Sequence, residues 1–251
     1  MPGFSQPSIS NLSPLEKMKT LSIIVPIYNE EKTILNVLDR LENVKFGLKK
    51  EIVIIDDGSK DNSKQLVEEY IKNKGKKLTL KFLSKENGGK GSAIKEGIKL
   101  STGDIITIQD ADMEYNPEDY AELIKPILEG KESVVYGSRF LKDHEPLYRI
   151  YYVGNKFLTF LTKLLYRAKI TDMETCYKVF RKDVIKNLDI KSNHFNMEPE
   201  ITARILKKRI NIKELPISYN PRSIKEGKKI NWKDGIQAIY TLFYWRFAKS
   251  S

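Results

Sequence analysis

The chain has 251 residues, 40% of them hydrophobic and 31% charged, which suits one large globular domain with a real core and excludes a disordered chain. Forty-four basic residues against 33 acidic give a net charge of +11, a balance that favours anionic partners such as nucleotide phosphates or an anionic membrane surface. One cysteine, Cys176, and two histidines, His144 and His194, exclude an internal disulfide and cysteine- or histidine-rich metal centres and suit a reducing, cytoplasmic setting.

Residues 1–17 are rich in Ser, Pro and Asn, lack the apolar core of a signal peptide, and read as a flexible leader with Met18 as an alternative start. Strands are expected at 21–28, 51–55, 78–83, 104–109 and 133–136, and helices at 33–41, 63–71, 90–100 and 117–128. Near-continuous Ile and Val strands alternating with helices predict an α/β fold, a mostly parallel sheet covered on both faces. Beyond Arg139 the pattern changes. Residues 148–166 and 235–245 are aromatic and apolar, but cations interrupt or follow them, and their uncharged runs fall short of the roughly 18–20 residues a membrane span needs. Each suits either core packing or an interfacial position with its rings at headgroup level. The scattered lysines come with no nucleic-acid motif, so nucleic acid is not an expected partner.

Three polar clusters fall at the carboxyl ends of predicted strands, where ligands bind in such sheets: residues 26–30, 56–59 and 110–112. In Asp110-Ala111-Asp112, two carboxylates one residue apart face the same side if the chain is still extended, and they suit Mg²⁺ or Mn²⁺ carrying substrate phosphate oxygens. Asn87-Gly88-Gly89-Lys90-Gly91 combines glycines that permit close backbone approach with a cation for phosphate. Neither a P-loop nor the G-x-G-x-x-G dinucleotide fingerprint occurs.

Pro26-Ile27-Tyr28-Asn29-Glu30, Asp56-Asp57-Gly58-Ser59, the 87–91 glycine cluster and Asp110-Ala111-Asp112, in this order and spacing, resemble family-2 glycosyltransferases of the GT-A fold. The branch is similar to the dolichyl- or polyprenyl-phosphate mannose and glucose synthases and their soluble bacterial relatives, over about residues 19–247. The resemblance implies a GT-A domain over 18–230 and a C-terminal amphipathic helical segment over 231–251. It also implies inverting transfer of a hexose from a UDP- or GDP-sugar to an acceptor, most simply a polyprenyl or dolichyl phosphate, with Mg²⁺ or Mn²⁺ as cofactor. Pro26, Tyr28 and Glu30 then meet the base and ribose, and Asp57 accepts a ring N–H of the base. Ser59, Lys90, Gly91, Gln109 and Asp110 complete the donor site. Asp110 and Asp112 hold the metal together with Glu114, which stands where the branch often has Gln. Arg139, Arg222 and Lys228 contact phosphate, the last two on a loop at 220–229 that closes over it. Asp112, Glu198 and Arg222 are the catalytic set.

A lipid phosphate, already anionic near neutrality with a second pKa of roughly 6, needs no general base. A hydroxyl acceptor of a cell-surface glycan needs one, and Glu198 or Glu200, expected just before a helix, is the candidate. A nucleotidyltransferase is disfavoured because residues 26–30 lack its Gly-rich, Arg-bearing loop. A noncatalytic nucleotide-binding or membrane-docking module is the alternative of another class. A lipid acceptor implies peripheral contact with the cytoplasmic face of a membrane or a membrane-protein partner.

Overall fold

A computed structural model describes residues 18–74, 79–142, 148–222 and 232–248. Lys228 with the 223–229 part of the phosphate loop, His144 and the leader 1–17 lie outside the described residues.

The sheet begins with β1 (Thr20–Ile27) and β2 (Lys49–Asp56), joined through α1 (Ile34–Asn43), and adds β3 (Thr79–Ser84) after α2 (Ser63–Lys74). After α3 (Lys90–Leu100) the chain returns to the other side of β1 as β4 (Ile105–Ile108). A 3₁₀ turn at Pro117–Asp119 leads into α4 (Tyr120–Leu128) and then β5 (Val134–Ser138). Beyond these come α5 (Arg149–Tyr166), β6 (Lys178–Arg181), α6 (Lys182–Lys186), α7 (Met197–Lys207), β7 (Lys213–Pro216) and α8 (Trp232–Phe247). The strand order is β3-β2-β1-β4-β6-β5-β7, and β6 alone runs antiparallel to its neighbours among the described strands.

Why these residues form a buried sheet is plain in the central strands. Ile23, Ile24, Val25, Ile52, Val53, Ile54 and Ile55 are all fully buried, because helices cover both faces and no polar side is needed. Gly97 lets α3 lie directly on β1: a Cβ there would come within 2.3 Å of Ile24 Cγ2. Such a crossing brings the N-terminus of α3 over the carboxyl ends of β1 and β2. The order reverses at β1 and β4, since β1 leads outward to β2 while β4 lies on its other side. A crevice beyond the strand ends is expected at that switch point.

The expected strands and helices up to residue 138 are present, with ends that coincide or shift by at most three residues. β6 and β7, each four residues, have no counterpart in the sequence reading. Glu198 and Glu200 lie inside the first turn of α7, and both are buried rather than preceding the helix.

Candidate active site

The crevice at the switch point is a cavity of about 390 Å³. Its walls include Pro26, Tyr28, Glu30, Asp57, Lys90, Asp110, Asp112, Glu114, Arg139, Glu198 and Arg222, so eleven of the expected site residues converge there.

At one end, the loops after β1 and β2 interlock. Asn29, in the left-handed region at φ 53°, donates its N–H to Ser59 Oγ at 3.0 Å, and its side-chain oxygen accepts from Lys60 N at 2.7 Å. Ser59 thus shapes the loop rather than lining the cavity. Asp57 lines it, with its carboxylate accepting from Gly88 N at 3.0 Å, from Gly89 N at 2.8 Å and from Lys85 Nζ. Gly89 adopts φ 93°, and a Cβ there would meet the His194 ring at 2.3 Å. Gly91 does not line the cavity; it allows α3 to approach the 192–194 backbone, where a Cβ would come within 2.6 Å of Ser192 O.

At the other end, beyond β4, the chain turns at residues 111–113 instead of staying extended, with Met113 at φ 63°. Asp110 and Asp112 nonetheless both line the cavity. Lys90 Nζ sits 2.7 Å from Asp110 Oδ1. Burial pushes the Asp110 carboxyl up, but Lys90 more than offsets this and holds it below the usual carboxylate range. Asp112 is different. Burial, then repulsion from Asp110 and Glu114, pushes it up to about 7 against the pull of Arg222. Arg222 is the counter-charge: its guanidinium lies 3.3 Å from Glu30, 3.4 Å from Asp112 and 3.9 Å from Glu114. Glu114 also accepts from Tyr219 Oη at 2.9 Å and from Arg222 N at 3.0 Å.

A divalent ion suits this donor set in part. Asp110 and Asp112 offer hard oxygens into the cavity, and Asp112, raised by burial and by its neighbours Asp110 and Glu114, is a carboxyl whose ionised form a cation would favour. Glu114 is turned to Arg222 and Tyr219, and among the described residues no three carboxylate, His or Cys groups converge as a ready metal cage. Two protein carboxylates with ligand phosphate oxygens completing the shell match the way Mg²⁺ and Mn²⁺ are held beside nucleotides.

Two expected residues have other work. Gln109 is buried below the cavity floor, where its side-chain oxygen accepts from Tyr177 Oη at 2.7 Å and Tyr120 Oη at 3.3 Å. Glu200 accepts from Lys191 N at 2.9 Å and Ser192 N at 2.7 Å, so it holds the segment packed against Gly91 and does not line the cavity. Glu198 does line it, but Lys178, fully buried, binds one of its oxygens. Arg139 reaches the cavity with one edge of its guanidinium locked on Asp172 by two bonds of 2.7 Å.

The sequence reading missed the rim and part of the wall. Phe140 and Tyr148, Tyr151, Tyr152 and Asn155 from the start of α5 line the mouth, and Glu174, Cys176, His194 and Phe195 line the wall. The signal for the rim lay in the aromatic run after residue 147, and Glu174 and Cys176 fall in the segment 172–178, which resembles a family segment near the acceptor side without a role for either residue; His194 reads as a bystander.

The comparisons with known proteins agree with this geometry. The family model "Glycosyl transferase family 2" matches residues 22–189. The chain is 31% identical to UDP-N-acetylglucosamine--dolichyl-phosphate N-acetylglucosaminyltransferase from Methanococcus voltae, over 92% of this chain and 98% of the relative. It is 28% identical to dolichol-phosphate mannosyltransferase from Pyrococcus furiosus, over 90% of this chain and 64% of that one. In fold it matches glucosyl-3-phosphoglycerate synthase from Mycobacterium tuberculosis, solved with Mn²⁺, UDP and phosphoglyceric acid, at TM-score 0.69 and 20% identity, covering 100% of this chain and 86% of that chain. S. aureus TarS 1-349, solved with UDP-GlcNAc, matches at TM-score 0.58 and 21% identity, covering 90% of this chain and 67% of that one. A mostly parallel sheet with a crevice at its switch point, matched by the family model over two thirds of the chain, makes this protein a member of glycosyltransferase family 2 with the GT-A fold.

Proposed function

We propose that the enzyme transfers a sugar from a UDP-sugar to a polyprenyl or dolichyl phosphate, in one inverting displacement, at the cytoplasmic face of a membrane. The observation that carries this reading is the apolar face beside the cavity mouth. The first turns of α5 form the rim, and the same helix exposes Ile150, Val153, Phe157, Phe160 and Leu164 at 52–78% accessibility. Their spacing of three and four residues puts them in one stripe. α8 packs beside α5, with Tyr166 Oη donating to Leu242 O at 2.7 Å, and exposes Trp232, Ile236, Tyr240, Phe243 and Phe247. No helix among the described residues is long and apolar enough to cross a membrane. The two stripes suit a position in the headgroup layer, with the rim facing the lipid. The dolichyl-phosphate acceptors named for the two relatives support the same class of acceptor.

The placement of the residues supports the following roles. Residues 26–30 and Asp57 take the uridine, and the diphosphate lies between Lys90, Asp110, Asp112 and Arg222. A bound Mg²⁺ or Mn²⁺ would neutralise charge developing on the departing UDP. Arg222 would then bring its guanidinium onto phosphate, for which its planar fork is suited. The free edge of Arg139 and the rim of α5 orient the acceptor phosphate behind the anomeric carbon. An ionised phosphate oxygen attacks without surrendering a proton, which fits the engagement of Glu198 with Lys178 and of Glu200 with backbone N–H groups.

Calorimetric titration with UDP tests the donor half. Mn²⁺ is expected to strengthen UDP binding to the wild type by tenfold or more (about 1.4 kcal/mol) and to add nothing in Asp112→Ala. Equal binding with and without Mn²⁺ in the wild type would remove the metal-dependent reading.

A further inference from the structure

Glu174 has no task in this scheme, yet its surroundings are built with care. The backbone is pinned on both sides: Met173 N donates to Thr159 Oγ1 at 3.1 Å, and Cys176 N donates to Tyr115 Oη at 3.2 Å. The Thr175 carbonyl accepts from Lys178 Nζ at 2.5 Å. From this fixed turn the Glu174 side chain reaches the cavity wall, where its Oε1 is buried and has no hydrogen-bond partner among the described residues. Among the described residues, the two cations beside it are already engaged. Lys178 is bound to Glu198, and Arg139 is locked on Asp172.

Glu198 repeats the pattern on the same wall. Its second oxygen, Oε1, is also buried without a hydrogen-bond partner among the described residues, and Lys90 stands off at 3.8 Å while engaging Asp110 at 2.7 Å. The wall beside the Lys90–Asp110 corner thus presents two carboxyl oxygens that lack donors. Buried polar atoms left unmade are costly and call for a partner. A phosphate does not fit, because it brings further negative charge and no donors. A sugar ring does, since each hydroxyl offers an O–H and carries no charge.

We infer that Glu174 is a specificity-determining residue that hydrogen-bonds a hydroxyl of the transferred sugar, an assignment that rests on the nucleotide-sugar reading above. The charged groups around Glu174 are Lys178, Glu198, Arg139 and Asp172. Burial is the leading cause that pushes its carboxyl up, to about 7; Lys178 and Arg139 oppose the rise, and Glu198 and Asp172 add to it. Near neutrality the group therefore serves as donor or acceptor, and a glutamine can stand in for both.

Calorimetry separates this role from the rest of the site. UDP, UDP-glucose and UDP-N-acetylglucosamine are titrated with Mn²⁺ into wild type, Glu174→Ala and Glu174→Gln, and the tighter sugar nucleotide is scored against UDP. Glu174→Ala is expected to weaken the sugar nucleotide about tenfold while UDP changes less than about twofold, the loss of one hydrogen bond to the sugar. Glu174→Gln is expected to stay within about threefold of wild type for both ligands. An unchanged ratio in Glu174→Ala overturns the inference alone. Equal weakening of UDP and sugar nucleotide assigns Glu174 a structural role and also overturns it. Failure of the wild type to bind UDP at all removes the nucleotide-sugar reading and the inference with it.

Discussion

A lysine with no exposed surface must be paired, and Lys178 is paired with Glu198, under the Tyr136 ring at 5.0 Å. The pairing decides what Glu198 can do. One of its oxygens is taken up by that ammonium, which fits the proposed acceptor that arrives ionised. Glu198→Gln, which keeps an oxygen for Lys178, is expected to lower turnover with a polyprenyl phosphate by less than about tenfold. Arg222→Ala is expected to lower it by about a hundredfold or more, because it withdraws the charge that meets the departing diphosphate. Steady-state rates of the two variants decide the point; the opposite ranking would favour a hydroxyl acceptor. Residue types at strand ends led to Asp57, Asp110 and Asp112 because charged groups at a ligand crevice are chemically conspicuous, and the family resemblance of the 220–229 loop led to Arg222. Gln109 and Glu200 were equally conspicuous, but their partners are tyrosine hydroxyls and backbone N–H groups that only the folded chain brings near. Lys178 went unnoticed for the converse reason: a lysine gives no sequence signal that it will be wholly enclosed.

Glu51 shows how one side chain clips several elements together. It lies on β2, accepts the Ser22 hydroxyl of β1, accepts Thr102 N at 2.8 Å and Thr102 Oγ1 at 2.6 Å from the turn before β4, and pairs with Lys81 of β3 at 2.6 Å. Burial pushes its carboxyl up, but Lys81, Ser22 and Thr102 together outweigh burial and hold it at about 2. A carboxyl whose folded pKa is depressed stabilises the fold above its unfolded pKa, and that contribution is lost as pH falls toward the folded value. Partial exposure of Lys81 screens the pair, leaving on the order of 2 kcal/mol. Denaturant unfolding is therefore expected to find Glu51→Gln about 2 kcal/mol less stable than wild type at pH 7, with the gap closing between about pH 4.5 and pH 2. A gap that persists undiminished at pH 2.5 would contradict this account. The long apolar strands β1 and β2 and the helices between them were legible because Ile and Val runs alternate with helical spacing. β6 and β7 were not, since four-residue strands with Lys, Arg or Glu in them carry no readable period.

For the molecule as a whole, the paired stripes of α5 and α8 would set its orientation on the proposed membrane surface. Phe157→Glu combined with Phe160→Glu places two charges in the exposed apolar face without touching the core. Flotation with anionic vesicles is expected to show at least a tenfold loss of binding by this double variant, given ~1.5–3 kcal/mol for each buried aromatic. Its UDP titration should match wild type; wild type that fails to float with vesicles would remove the membrane role. The opposite end of the cavity has a different logic. Asp57 joins the end of β2 to Gly88, Gly89 and Lys85, so the loop carrying Lys90 hangs on the carboxylate proposed to meet the base. Redesign of nucleobase preference cannot treat Asp57 as an exchangeable contact, because its replacement would also release the loop at the phosphate end. An engineer seeking a different nucleotide would have to leave Asp57 alone and vary Pro26, Tyr28 and Glu30.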